Sequence, residues 1–216
     1  MNSSTVCVPP GDADARLALL DLSVKSLHEA IEFGDGYRHE CEPGLDPAAL
    51  GGFMHWGKTV RRLRELLIPR LWRAANDGGL ETVVNEAETV AIAVCAGDEA
   101  TGNPERSPQT RYPRGPASII AALRNNNGQG KFVFDDRVLR ASQGLKRNTW
   151  MLLVCATEHE IRAELSLPRS LSETSRKIVG WHERIVLPTI IRDGKPIGPT
   201  ADDEDDIEFD VKRKAN

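Results

Sequence analysis

Apolar residues along the first third of the chain recur at helical spacing. Leu17, Leu20, Val24, Leu27 and Ile31 fall three or four apart and form one stripe. Asp12 and Asp14 stand where a short carboxylate can cap the first turn. Gly34-Asp35-Gly36 is expected to stop or interrupt this helix. Pro43 to Pro47 reads as a turn, with Asp46 as a cap and Pro47 as the first residue of a second helix. In that helix Trp56, Val60, Leu63, Leu67 and Leu71 share a face, opposite Lys58, Arg61 and Arg62 with Glu65 among them. Pro69 should kink it or mark a junction, and Asn76 to Gly79 should end the helical part.

The period then changes. Thr89 to Ala96 is an unbroken apolar, β-branched run, the pattern of a strand buried on both faces. Residues 97–115 carry Gly97, Gly102, Gly115 and three prolines and read as a long loop, a length that points to function or mobility. A short helix over Ala117 to Arg124, turn residues 125–130 and a strand over Lys131 to Phe134 follow. Trp150 to Ala156 is a second buried strand. Ile161, Ala163, Leu165 and Leu167 alternate with polar residues up to Pro168, as one arm of a hairpin. Val179, Trp181, Ile185 and Leu187 alternate again, and Ile190 to Lys195 suggests a last turn. The class expected is α+β, with an N-terminal helical part of two helices packed on a mostly antiparallel C-terminal sheet. The expected organisation is a flexible leader (1–11), one domain (12–198, helical over 12–77 and strand-rich over 88–198) and an acidic tail (199–216). No internal repeat occurs.

Composition narrows the class without naming a function. The 216 residues are 40% hydrophobic and 28% charged, which excludes a wholly disordered chain, a collagen-like chain and a disulfide scaffold. No uncharged apolar run approaches the roughly 18–20 residues that span a bilayer, and the start lacks a secretory signal. Cys95 and Cys155 lie inside apolar runs and read as buried free thiols, so a reducing, cytoplasmic setting is expected.

The net charge of −4 conceals blocks. Residues 1–54 hold 3 basic against 9 acidic side chains, and residues 55–75 hold 6 against 1. Residues 76–104 hold none against 6, residues 105–150 hold 9 against 3, and residues 151–216 hold 10 against 13. Two basic segments thus emerge as candidates for an anionic partner, nucleic acid above all. The candidate contacts are Lys58, Arg61 and Arg62 on the helix, then Arg106, Arg111, Arg114, Lys146 and Arg147. Arginine forks match phosphate oxygens, and the glycines of 97–115 would let that loop close over a phosphate backbone. Aromatic residues for stacking are few, Tyr112, Phe132 and Phe134 being the nearest. The basic helix face has a plainer use as well, pairing internally with the acidic blocks.

Signatures of catalysis are sparse. Neither nucleotide-binding glycine motif occurs, and Gly128-Gln129-Gly130-Lys131 precedes a strand with Phe132 where Ser or Thr should follow. The nucleophile elbow is missing too. His39, Cys41 and His55 lack zinc-ligand spacing. Asp98 and Glu99 follow one buried strand, Asp135 and Asp136 another, and Glu160 and Glu164 share a hairpin arm. Were these carboxylates to converge, their hard oxygens would suit Mg²⁺ and phosphodiester chemistry.

The tail packs seven acids, from Asp202 to Asp210, around Ile207 and Phe209. From Asp202 to Phe209 it locally resembles the acidic C-terminal tips of single-stranded-DNA-binding proteins, which dock an aliphatic residue and a Phe into partner enzymes. It departs from them in having Glu208 in place of Pro and a basic end beyond Phe209. The reading favoured is a non-enzymatic binding protein that needs no cofactor. It would contact nucleic acid, or a partner that processes nucleic acid, through the basic segments, and Ile207 and Phe209 would serve as a docking or autoregulatory strip. The alternatives are a nuclease-like enzyme using Mg²⁺ on a phosphate-containing substrate, and an oligomeric scaffold using Phe53, Trp56, Trp72 and Trp181.

Overall fold

The computed structural model describes residues 5–125, 147–172 and 174–192. Its elements are β1 (Val6–Val8), α1 (Ala13–Ala18), α2 (Val24–Arg38), α3 (Leu50–Leu67), β2 (Arg73–Asp77), β3 (Leu80–Val84) and β4 (Val90–Ala96). After these come α4 (Pro116–Asn125), β5 (Asn148–Ala156), β6 (Glu160–Leu171), β7 (Ile178–Val186) and β8 (Ile190–Ile191). The strands form one sheet in the order β1-β7-β6-β5-β4-β3-β2, with β8 paired to β6. The β1–β7 and β4–β5 pairs are parallel and the rest antiparallel, so the class is α+β.

Alternation along β4 and β5 divides the core between the two faces of the sheet. Ile92, Val94, Trp150, Leu152 and Val154 meet Leu27, Ile31, Val60, Leu63 and Leu67 of the α2–α3 pair. Ala93, Cys95, Met151 and Leu153 meet Ile119 and Ala122 of α4. Cys95 and Cys155 are buried free thiols. Among the described residues no helix is long and apolar enough to cross a membrane.

The helices differ from the sequence expectation at their ends. The first apolar stripe is two helices, broken at Asp21, whose φ of 59° is left-handed. Ser23 caps α2 through a capping box with Ser26. Asp14 also caps α2 instead of its own helix, accepting from Val24 N at 2.8 Å. Gly34-Asp35-Gly36 does not stop α2, which runs through to Arg38. The reason for Gly34 is tertiary. A Cβ there would stand 2.5 Å from His55 O and 2.9 Å from Thr59 N, so glycine lets α2 and α3 touch backbone to backbone. Asp46 binds Glu42 N (2.8 Å) and caps nothing, and α3 starts three residues later than expected. Pro69 sits in a single 3₁₀ turn, and Leu71, at φ 66°, breaks the helix and leaves its own side chain exposed.

The sheet is larger than the sequence suggests. Residues 73–84, assigned in part to the helical region, form a β2–β3 hairpin around Gly78 and Gly79. Their φ values of 66° and 98° suit a two-residue turn that matches strand twist. Val6–Val8, expected in a flexible leader, pair with β7 as an edge strand. Pro168 does not close β6. The strand continues to Leu171 with register shifts around the proline, which has no N–H to donate. The strand expected over 131–134 and the tail over 199–216 lie outside the described residues.

The contact at Gly34 gives a measurable expectation. Gly34→Ala should lower the melting temperature by roughly 3–10 °C through overpacking. Gly36→Ala, with open space around its Cβ, should instead gain about 0.5 kcal/mol. Thermal denaturation of the pair checks this, and equal effects would contradict the packing argument.

Candidate functional site

β4 and β5 lie side by side in parallel, with Ala96 opposite Val154 and β5 running on two residues to Ala156, so both strands leave the sheet at the same end. In sheets of this kind ligands gather beyond the carboxyl ends of adjacent parallel strands, because the chain departs there in loops. Both faces of this end are lined with charged groups.

On the α4 face, Cys155 continues the row Met151-Leu153. It lies within electrostatic reach of Arg162, Arg111, Asp98 and Glu99, and burial pushes its thiol pKa up. Asp98 and Glu99, the first pair of sequence-derived acidic candidates, therefore do reach this end. Asp98 turns an oxygen onto Ala100 N (3.1 Å), and Arg162 donates to Glu99 O at 2.8 Å. Asp135 and Asp136 lie outside the described residues. Glu160 pairs with Arg162 at 3.0 Å. Glu164 is fully buried against Arg184. Among the described residues no three His, Cys, Asp or Glu side chains are grouped to hold a metal ion.

Glu164 and Arg184 explain why the 97–115 loop has one shape. Arg184 Nε and Nη2 donate to the two oxygens of Glu164 at 3.0 and 2.5 Å. The remaining guanidinium donors reach Arg106 O (2.8 Å) and Asn103 O (3.0 Å), and Gly102 N donates to Glu164 at 3.0 Å. Trp181 Nε1 holds Pro108 O at 2.8 Å, and Arg111 N donates to Ala96 O at 2.9 Å. At Gly102, φ is 75° and a Cβ would stand 2.8 Å from that of Arg162, so the turn requires glycine. Arg184 was legible as a charge in an apolar strand, which by itself says nothing about its partner.

On the opposite face, α2 and α3 bring a second group to the same end. Buried Asp35 receives Arg192 Nη2, and Arg192 Nη1 donates to Thr157 O. His39 sets Nδ1 at 2.7 Å from Asp35 O and 3.6 Å from its carboxylate. Arg38 reaches Ala156 O at 3.5 Å. His55 is largely buried beside Asp35, Arg38, Arg192 and His39, and desolvation drives its pKa down to about 4. His39 and His55, considered by sequence as zinc ligands, thus share a neighbourhood whose centre is Asp35. Nothing in the sequence spacing links Arg192 to Asp35, since that contact joins opposite ends of the chain.

The basic candidates separate into two groups. On α3, Arg61 pairs with Glu65 (2.8 Å), and Arg62 pairs with Glu29 (2.5 Å) and Glu65 (3.0 Å). Lys58 stands 4.0 Å above the Tyr37 ring. Arg64, Arg70 and Arg73 meet Glu81 (2.6 Å), Asp21 (2.5 Å) and Glu88 (2.5 Å). Arg147 is buried against Asp77. The arginines of the basic helix thus spend their charge on its own Glu65 and on the acidic blocks before and after it. Arg106, Arg111 and Arg114 lie on the anchored loop, and no carboxylate among the described residues pairs with Arg106 or Arg114. Lys146, Ile207 and Phe209 lie outside the described residues. Of the four aromatic candidates for self-association, Trp72 and Trp181 are core residues, and Phe53 and Trp56 reach the surface. Trp56 is held by its indole N–H on Val94 O at 3.1 Å.

No protein family, curated protein or solved structure matches the chain.

Two measurements test this site. Arg184→Met should cost about 3–5 kcal/mol in urea denaturation, because it strands a buried Glu164. Adding Glu164→Leu should recover much of that stability, yet tryptic cleavage at Arg106 to Arg114 should stay faster than in wild type. Unchanged cleavage would show that the pair does not hold the loop.

The second measurement is stability against pH. An unfolded His55 takes up its proton near 6.5, whereas the folded one refuses it until about 4. Stability should therefore fall as pH drops through that window, by up to about 3 kcal/mol from this residue. Burial shifts His28 and His182 in the same direction. The carboxylates held by arginine, such as Glu81, add their own loss only below the usual 4.5. His55→Gln should flatten the slope between pH 6.5 and 4.5.

Proposed function

We propose that the chain is a binding protein that contacts a nucleic-acid backbone through a basic patch built from two separate segments. The observation that carries this reading is the cross-link between residues 110–114 and the β6–β7 turn. Thr110 N donates to Ile178 O (3.1 Å), Arg114 N to Arg176 O (2.9 Å), and Arg176 Nη2 to Arg114 O (3.4 Å). Arg111, Arg114, Arg176 and Lys177 thereby become neighbours, though more than sixty residues separate the two segments.

Tyr112 supports the same reading. Its ring is exposed, with the Arg111 guanidinium 5.9 Å from its centroid, which supplies a stacking surface between cations. Backbone anchoring fixes these side chains at their roots, so binding costs less ordering of the loop. The paired arginines of α3 take no part in this reading. In the same proposal, the acidic tail with Ile207 and Phe209 competes for the patch or docks a partner protein.

Fluorescence anisotropy with labelled single-stranded DNA, duplex DNA and RNA tests it. Wild type should bind with an affinity that falls steeply with salt, since neutralised phosphates release counterions. Arg114→Glu/Arg176→Glu should weaken binding roughly tenfold or more and flatten the salt slope, by up to about 0.9 for each phosphate no longer neutralised. Arg61→Glu/Arg62→Glu should stay within about twofold. The proposal fails if wild type binds none of the three at low salt, or if the helix variant is the one that loses affinity.

A further inference from the structure

The α2–α3 face of the strand ends holds more cationic and donor capacity than its protein partners use. Asp35 is neutralised by Arg192, which is itself tied to Thr157 O. A second guanidinium, Arg38, lies close enough to act electrostatically on Arg192. Among the described residues its side chain makes one hydrogen bond, the long contact to Ala156 O at 3.5 Å. A Cβ at Gly51 would stand 3.4 Å from Arg38 Cγ, so the Arg38 stem runs along α3 and carries its fork to the strand end.

Among the described residues ten buried side-chain polar atoms have no hydrogen-bond partner, and two of them, Arg192 Nε and His55 Nε2, lie in this corner. Buried polar atoms in native proteins are nearly always satisfied, and two orphans beside one another point to a group that supplies acceptors. His39 turns Nδ1 to Asp35 O, which directs its Nε2 away from the helix. The donors on offer are then the Arg38 fork, Arg192 Nε and His55 as its Nε2–H tautomer, while His39 spends its Nδ1–H on Asp35 O. A carboxylate would have to accept twice at each of its two oxygens to match these donors. A phosphate presents three peripheral oxygens, and bidentate guanidinium contacts suit it.

We infer that the corner formed by Arg38, His39, His55 and Arg192 around Asp35 binds the phosphate group of a small ligand. This site lies on the opposite face of the sheet from α4 and stands independently of the nucleic-acid reading. Neutral His55 contributes a hydrogen bond without charge, and Arg38 contributes the attraction. The Asp35–Arg192 pair fixes the floor.

Inorganic phosphate, titrated into the full chain at constant ionic strength and followed by ³¹P line broadening, tests the inference. Wild type should show saturable broadening with a Kd on the order of 1 mM, as a bare fragment of a larger ligand would. Arg38→Ala should raise that Kd roughly tenfold or more, since it removes a charge-assisted hydrogen bond, and His39→Ala should weaken binding less. Arg61→Ala removes the same charge from neighbouring α3 and should change the Kd by less than about twofold. Arg114→Glu/Arg176→Glu should leave it unchanged, so this result and the nucleic-acid result fail separately. Melting curves of Arg38→Ala and His39→Ala confirm that each variant is folded. Absence of saturable broadening in wild type overturns the inference, and so does a loss in Arg61→Ala equal to that in Arg38→Ala.

Discussion

The buried ion pair between Glu164 and Arg184 is the constraint on which the strand-end architecture rests. Removing two charges from water is expensive, and their mutual attraction returns little net stability. What the pair supplies is direction. One guanidinium holds a carboxylate on the neighbouring strand and two carbonyls of the 97–115 loop, while that carboxylate takes Gly102 N. A long segment without helix or strand thereby acquires a single path along the end of the sheet. Further along, Trp181, Ala96, Ile178 and Arg176 take over the anchoring and place Arg111, Tyr112 and Arg114.

Charge blocks in the sequence become charge pairs in the fold. The acidic runs 1–54 and 76–104 flank the basic run 55–75, and the structure folds them onto it through Glu29, Asp21, Glu81 and Glu88. Exposed pairs of this kind add little to stability. Their effect is on recognition, because a guanidinium already facing a carboxylate is a poor partner for a phosphate. A basic helix therefore cannot be taken as a nucleic-acid footprint until its partners are known. The loop arginines differ in that Arg106 and Arg111 are exposed and Arg114 is half-buried, and no carboxylate among the described residues pairs with Arg106 or Arg114.

Periodicity made most elements legible, and contact between distant segments made the rest illegible. Val90–Ala96 and Asn148–Ala156 announce themselves as buried strands because both faces of the sheet are covered, which demands continuous apolar runs. The α3 stripe is equally plain, since Val60, Leu63 and Leu67 face the core. Gly34 misleads because its purpose lies in α3, and a local reading sees a helix breaker where the helix needs a missing side chain. Gly78-Gly79 misleads the other way, resembling a helix terminus while closing a hairpin whose first strand, Arg73–Asp77, is too polar and exposed to declare itself. At the strand ends, Asp98, Glu99 and Arg111 were visible as loop residues after a buried strand. Glu164 was visible only as an acid on a hairpin arm and Arg184 only as a charge in an apolar strand, while Asp35, Arg38 and Arg192 gave no functional signal, since each acquires its meaning from a partner on another element.

The two faces of the β4–β5 end follow from one topological fact. A parallel pair of successive strands inside a mostly antiparallel sheet forces the chain to leave one strand and return by a crossover. Here that crossover carries α4 and the arginine loop to one face, which leaves the other face to the α2–α3 pair. Each face then meets the same carbonyl-rich strand ends, Ala96 on one side and Ala156 and Thr157 on the other. Arginine is the side chain able to satisfy several such carbonyls at once and still retain charge. Arg192 and Arg38 on the helical face meet the same demand that Arg162 meets on the α4 face. The chain has built two cationic margins around a single strand terminus, and the loop and the helix pair hold them apart.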